Sequence, residues 1–447
     1  MNDKNLALKI AEKVSAAGGR AFFVGGYVRD MLMGAECKDI DIEVYGITPA
    51  ALRSLLSEIG EPYDKGAAFG VLGLRHSELD IAMPRRESRT GSRHTDFDVS
   101  VDPFMTYEDA SRRRDFTINA MMLDPLTGEI VDCWNGRYDL ENRIIRHVSP
   151  ETFGDDALRV FRAAQFAARF RAQISPETME ICRAMDVSQL SRERVFDELA
   201  KALMKADTPS IFFRTLRAMD KLSEFFPETA AMEGVPQNPK YHPEGDVFEH
   251  TMLVLNSAAH LRSRASEPLN FMLAALLHDV GKTNATEIKD GRIVSYFHPQ
   301  TGVALAETQL KRLTSNTRTI SYVKNMVELH MRPNMLAGAD SRRRKSRAMF
   351  DMSICPEDLM LLSRADAEGK KDAPYDERTW DWLEARLADY RECIARPMVN
   401  GKDLTHAGYA PGPEMGALLK RARELHFSGI EKKRVLSQLK KEHPPAR

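Results

Sequence analysis

At 447 residues, with 64 Lys and Arg against 65 Asp and Glu, the chain is almost neutral and long enough for three or four folded units. That balance excludes a uniformly basic nucleic-acid binder, so any RNA surface must come from local clustering of charge. Five scattered cysteines, at 37, 133, 182, 355 and 393, form no Cys-x-x-Cys pair, which argues against a disulfide scaffold or zinc ribbon and suits a reducing cytoplasm. Leu6 to Ala17 reads as a polar amphipathic helix rather than a signal peptide. No apolar run approaches membrane-spanning length, so a soluble, cytoplasmic protein without a membrane partner is expected.

The first informative stretch is Phe22-Phe23-Val24-Gly25-Gly26-Tyr27-Val28-Arg29-Asp30. Phe22 to Val24 suits a short buried strand. Gly25 and Gly26 end it and, having no Cβ, let the backbone approach a bulky ligand. The peptide N–H groups that follow point out of a helix N-terminus, a natural phosphate cradle. Lys38-Asp39-Ile40-Asp41-Ile42-Glu43-Val44 then alternates strictly, so a strand carries Asp39 and Asp41 on one face and Ile40 and Ile42 on the other. Paired carboxylates repel unless a cation sits between them, and Mg²⁺ takes one or two carboxylates and completes its shell with substrate phosphates. The plainer reading is a solvated strand face with two acids.

Gly25-Gly26-Tyr27-Val28-Arg29-Asp30 followed by Asp39-Ile40-Asp41 resembles the first motif of the class II tRNA nucleotidyltransferases (CCA-adding enzymes) and bacterial poly(A) polymerases, within the polymerase-beta-like superfamily. The resemblance implies an α+β chain. Its polymerase-beta-like nucleotidyltransferase head, a small mixed sheet with helices, spans 1–147. An all-α neck for base selection and RNA binding follows at 148–235, an HD domain at 236–385 and a helical tail at 386–447. Asp39 and Asp41 would hold Mg²⁺ as the catalytic pair, and Gly25, Gly26 and Arg29 would position nucleotide phosphates.

Further along the head, Thr48 to Ile59 reads as an amphipathic helix opened by Thr48-Pro49, and Val71 to Leu74 and Glu78 to Ala82 as strands. Asp80 is either a third metal carboxylate, as the family suggests, or a surface acid. Residues 84–98 are basic and aperiodic, a loop; in the family a flexible loop here serves the switch from CTP to ATP. Ser111 to Met121 is expected to open a helix, with Phe116, Ile118 and Met121 inward and Arg114, Asp115 and Asn119 toward the nucleotide. Arg113 to Ala120 matches the family's Arg-Arg-Asp-Phe-Thr-Ile-Asn-Ala string.

In the neck, Asp156 and Arg159 stand three apart on an expected helix and share a face that Arg162 continues. They form either an intrahelical ion pair of ~0.3 kcal/mol or a plane for the Watson–Crick edge of a base. The resemblance implies the second, with Asp155 in place of the family's Glu. Ser191 is a fitting N-cap for the next helix, and Leu203 to Phe226 reads as helical and apolar, ending at Pro227.

From about Pro236 a second cluster appears: His250, the His278-Asp279 doublet, His298, His330 and Asp366. Imidazoles with carboxylates suit a divalent transition metal. His250, His278, Asp279 and Asp366 in this order resemble the HD phosphohydrolase domain, with His298 and His330 available for a second metal position. Phosphatase or 2′,3′-cyclic phosphodiesterase chemistry is implied. The tail carries Lys420, Arg421, Arg423, Lys432, Lys433, Arg434, Lys440 and Lys441, either contacts for RNA phosphates or a solvated face.

The chain is therefore expected to add CCA, or its terminal A, to tRNA 3′ ends from CTP and ATP, with an appended metal-dependent HD phosphohydrolase. No protein partner can be deduced. The rivals are a poly(A) polymerase, although the basic string such enzymes carry after the acid pair is absent here, and an HD-type phosphatase whose head only grips RNA.

Overall fold

Alternation along Arg20–Val24 (β1) sends Phe23 to one side of a sheet and Phe22 and Val24 to the other. Each buried Phe contributes roughly 1.5–3 kcal/mol, so β1 is anchored on both faces and serves as a central strand. The computed structural model describes residues 2–35, 39–66, 71–89, 97–370 and 375–445. It divides into two compact units, 1–191 with 218–221 and 192–217 with 222–447.

The first unit holds the sheet. Its strands are β1, Asp41–Tyr45 (β2), Pro62–Gly66 (β3), Val71–Leu74 (β4) and Asp80–Ala82 (β5), with a separate hairpin Arg85–Arg89 (β6) and Phe97–Val101 (β7), then Met122–Leu123 (β8) and Ile130–Val131 (β9). The order β3-β4-β5-β2-β1-β8-β9 is mixed, because β2 runs parallel to β5 and antiparallel to β1. Ile40, Ile42 and Val44 enter one core with Phe23, Leu52, Leu56 and Ile81. Phe22, Val24, Tyr45 and Met122 form a smaller core on the opposite face. The small mixed sheet expected of the head is thus present.

Several local expectations are corrected. The strand after the glycines begins at Asp41, so Asp39 lies just before it, although the alternation holds: Asp39 and Asp41 are exposed and Ile40 and Ile42 buried. The aperiodic segment 84–98 is a hairpin at its stem, with Arg86 opposite Ser100, because backbone pairing needs no apolar alternation; residues 90–96 lie outside the described residues. The helix expected from Ser111 is replaced by one 3₁₀ turn, Thr117–Asn119, and Phe116 bridges to His147 instead. Phe116 is drawn there by Phe153 and Phe166, each with its ring centroid 5.6 Å away. Helix Arg159–Phe170 then buries Val160, Phe161, Ala163 and Ala164.

The helical, apolar stretch 203–226 is made of the end of Arg192–Lys205, then Ser210–Ala218 and Leu222–Phe225. Pro209 lacks the N–H to continue the first, and Asp220 adopts a left-handed φ of 58° between the others. Helices Val247–Leu261, Pro268–Leu277, His298–Leu313, Thr317–Leu329 and Pro356–Glu368 pack on one another. The tail helices Pro413–Phe427 and Lys432–Glu442 close over Leu404, Leu425 and Leu439. Among the described residues, no helix is long and apolar enough to cross a membrane.

Candidate active site

The head site starts from one backbone angle. Gly25 has φ +66° at the N-cap of helix Gly26–Leu32, a conformation open to glycine at little cost. A Cβ there would lie 3.1 Å from Arg114 Nη1 and 3.9 Å from Asp41 Oδ2. The turn is therefore pressed against the acid strand. Asp41 pairs across from Val24 on β1 and from Asp80 on β5, and Asp80 is held by an ion pair with Lys65. Asp41 keeps an exposed surface, yet the protein crowding its carboxylate raises its pKa; Arg114 opposes the rise, and the like charges of Asp80 and Asp39 add to it. A cation among these acids would relieve that cost.

Glu43, two residues on and on the same strand face, is missed by the sequence reading. It is buried, accepts the Tyr45 hydroxyl at 2.9 Å and an Arg113 N–H at 3.0 Å, and has Arg114 Nη2 at 3.7 Å. The signal that could have found it is the same alternation carried one step further. Glu43 holds two guanidinium groups beside Asp41.

Arg29, Asp115, Asn119 and Arg162 are brought together. Arg29 is buried and donates to Asp30 at 2.8 Å and to Asn119 at 2.5 Å. Asn119 donates to Asp115 at 3.0 Å, and Arg162 Nε donates to the other Asp115 oxygen at 2.7 Å. Burial alone would push the Asp115 pKa up, but Arg162 and Asn119 hold it below the usual carboxylate range. Arg169 reaches back to Asp30 at 3.1 Å. The 3₁₀ turn and the neck helix are thereby tied to the glycine turn.

Asp156 and Arg159 do not share a helix. The helix begins at Arg159, and Asp156 stands in the preceding turn, where its carboxylate accepts the Leu158 N–H at 3.1 Å. A carboxylate bonded to the N–H two residues on holds its own backbone in a turn at the start of the following helix rather than within it. Arg159 donates to the carbonyls of Thr152 at 2.8 Å and Arg113 at 2.6 Å, so it is fixed against the turn that carries Arg114.

In the second unit the imidazoles converge. His278, His298 and His330 each donate Nδ1–H to the backbone carbonyl three residues earlier, Ala275, Ser295 and Val327, at 2.8–2.9 Å. That bond turns each Nε2 toward the centre, where the neutral ring would present a lone pair. Asp279 stands between two pairs of these atoms: Oδ2 lies 3.3 Å from His278 and 3.7 Å from His250, and Oδ1 lies 3.2 Å from His298 and 3.5 Å from His330. Asp366 Oδ1 is 3.1 Å from His250 Nε2. Lys282 Nζ, also buried, sits 2.6 Å from Asp279 and 2.8 Å from Gln237.

These groups fit divalent metal. His298 Nε2 and His330 Nε2 face each other at 3.4 Å, and buried His278 Nε2 and Asp279 Oδ1 have no hydrogen-bond partner. Lone pairs so directed repel unless a cation stands between them. Burial lowers the His330 pKa, favouring the neutral form a metal needs. Asp279 and Asp366 are both held well below the ordinary carboxylate range despite burial, the first chiefly by Lys282 and His278, the second by His250. A cavity of about 560 Å³ opens beside them, lined by Tyr241, His242, Asp279, Lys282, His298 and Asp366. His242 and Glu244, also missed by the sequence reading, stand beside His250, with Nδ1 of both imidazoles against Glu244 Oε1.

Three family models match the chain in order: the poly A polymerase head domain over 21–146, a probable RNA and SrmB-binding site of polymerase A over 173–233, and the HD domain over 247–368. Fold and sites together define a nucleotidyltransferase carrying an HD domain, with divalent metal use implied for both parts. The multifunctional CCA protein of Nitrosococcus oceani is 36% identical over 397 residues, 85% of this chain and 92% of that one. That of Hahella chejuensis is 33% identical over 429 residues, 90% of this chain and 93% of its own. The chain belongs to the multifunctional CCA protein family. In fold it is similar to the CCA-adding enzyme of Bacillus stearothermophilus in complex with CTP (TM-score 0.68, 19% identity, 99% of this chain and 98% of that one). It is likewise similar to the Thermotoga maritima CCA-adding enzyme complexed with tRNA-CCA (TM-score 0.61, 18% identity, 98% and 95%).

Proposed function

We propose that the first unit adds C, C and A to tRNA 3′ ends from CTP and ATP without a nucleic-acid template, in the cytoplasm. The observation that carries this reading is the run of bonds from Arg162 through Asp115 and Asn119 to Arg29. It makes one rigid piece of the base-selecting helix and the phosphate-facing turn beside Asp41. Positioning is the main contribution a protein makes to phosphoryl transfer.

In this reading Asp39 and Asp41, with Asp80 once Lys65 yields it, hold Mg²⁺, which supplies charge neutralisation of the triphosphate and acidity to the 3′-hydroxyl. Gly25 and Gly26 let the triphosphate approach the backbone, and Arg114 takes its oxygens. Arg29 is a brace that reaches the ligand through Asn119. Asp156 accepts the exocyclic amine that cytosine and adenine share, and Arg159 donates to the ring acceptors. Residues 1–147, 148–235, 236–385 and 386–447 serve as head, neck, HD domain and tail.

The second unit is proposed to hydrolyse phosphoesters at the HD centre. His250, His278, Asp279 and Asp366 would hold one divalent transition metal, and His298 and His330 would complete a second position. The metal supplies Lewis acidity and an activated water; Lys282 stands ready for the substrate's phosphate.

Purified protein with Mg²⁺ would be given tRNA ending at the discriminator base, at C and at CC, with CTP and ATP singly and together. Addition that stops after C-C-A supports the proposal. A alone on the CC end would make it a terminal-A enzyme, long A tracts a poly(A) polymerase, and no extension would refute the transferase reading.

A further inference from the structure

Four imidazoles present Nε2 to the HD centre, and one of them is held differently. His278 and His330 stand at helix C-caps, and His298 is the first residue of its helix, so the carbonyl three residues back has no intrahelical partner and accepts Nδ1–H. His250 has no such carbonyl to use. It lies in the first turn of helix Val247–Leu261, where the backbone carbonyls are committed to the helix itself. Its Nδ1 donates instead to Glu244 Oε1 at 2.8 Å. Glu244 is almost wholly buried, its side chain 2% exposed, and the same oxygen accepts from His242 Nδ1 at 2.9 Å. The rings of His242 and His250 meet edge to face at 4.7 Å, which fixes the plane of both.

We propose that Glu244 is the positioning residue of the HD centre: it locks His250 with Nδ1 protonated and Nε2 aimed at Asp279 and Asp366, and His242 braces it. The carboxylate replaces the backbone carbonyl that serves the other three histidines. Being charged, it makes His250 the more basic ligand, as a carboxylate behind a metal-bound imidazole does. Glu244 is a second-row partner here and not a ligand, because the oxygen facing His250 is already occupied by two imidazole N–H groups.

The inference rests on the metal reading of the HD centre, and the test separates the two. Co²⁺ is titrated calorimetrically into the full chain, and its visible ligand-field bands are recorded, for wild type, Glu244→Ala, Glu244→Gln, Glu244→Asp and His250→Ala. Glu244→Ala is expected to weaken the tightest Co²⁺ binding by about 10–100-fold and to alter the bands. Glu244→Gln, which keeps an acceptor without the charge and covers the case in which the Ala variant fails to fold, is expected to lose less. Glu244→Asp is expected to recover part of the affinity, and nucleotide addition by the head is expected to be unchanged in all of them. Wild-type affinity and bands in Glu244→Ala and Glu244→Gln, with binding lost in His250→Ala, would overturn the role of Glu244 alone. A wild-type chain that binds no Co²⁺ would overturn the metal reading itself.

Discussion

The acid strand of the head and the HD centre gather candidate metal ligands with opposite architectures. In the head, Asp39 and Asp41 are exposed at the start of a strand, and Lys65 occupies Asp80. In the second unit, His250, His278, Asp279, His298, His330 and Asp366 are all buried; His250, His278 and Asp279 form one group of ligand atoms within 4.8 Å, Asp279, His298 and His330 another, and Asp366 lies 3.1 Å from His250. An open pair of carboxylates that took up Mg²⁺ would leave coordination positions for the phosphate oxygens of a bound nucleotide. A buried cage of imidazoles and carboxylates would supply most of a metal's ligands before substrate arrives. The difference teaches that the exposed acids are suited to a metal that comes and goes with nucleotide, and the buried cage to a resident one.

Mutations at the two centres should break the comparison cleanly. Asp41→Ala is expected to cost on the order of 10³-fold in nucleotide addition while leaving HD-type hydrolysis of a phosphomonoester unchanged. His278→Ala is expected to do the reverse, abolishing hydrolysis and sparing addition; loss of both activities in either variant would show that the two centres are not independent. Chelation sharpens the same contrast. Brief dialysis against EDTA followed by Mg²⁺ should restore addition fully and hydrolysis little, until a transition metal is returned.

Base selection should respond less steeply. Asp156→Ala removes one charged acceptor, worth roughly 1.5–3 kcal/mol, so discrimination of CTP and ATP against UTP and GTP should fall about 10–100-fold, read as ratios of kcat/KM. An unchanged ratio would leave Asp156 only its cap on Leu158. A comparable but structural effect is expected at Gly281→Ala. A Cβ there would meet the His298 carbonyl at 1.9 Å and Gly302 N at 2.5 Å, so His298 must shift from Asp279, at about 1–3 kcal/mol of overpacking. Weakened metal binding with intact addition would report it.

The smallest effect concerns pH. The Asp41 pKa is raised in the folded protein, so the stability its protonated form contributes is present at acid pH and is lost as pH rises through that raised value. At pH 7 without metal, Asp41→Asn should therefore melt slightly higher than wild type although it is inactive. That gain should vanish below about pH 4, where the acid is protonated in both states. A lower melting temperature at pH 7 would show that Arg114 outweighs burial and like charge.

Much of this was legible in the chain because it is encoded locally. The alternation around Asp39 and Asp41 and the glycine turn before it name a chemistry within a few residues, while the order of His250, His278, Asp279 and Asp366 carries a family resemblance over a long stretch of chain. The mixed sheet and the helical second unit were implied by that resemblance. Asp156 and Arg159 were placed on one helix by their spacing, and there the local rule failed: a carboxylate that caps the Leu158 N–H starts the helix later than periodicity suggests. Phe116 likewise left its expected helix because Phe153 and Phe166, distant in sequence, offered it an aromatic pocket.

The amino-acid sequence by itself determined which residue types stand at each centre, since strand alternation and helix termini are properties of short segments. Only the tertiary structure decided their partners. Glu43 under Arg113, Arg162 on Asp115, and Asp279 between two pairs of imidazoles all join residues far apart in the chain. The physical reason is that a buried charge must find its counter-charge wherever the fold brings one, and no local pattern records which distant segment that will be.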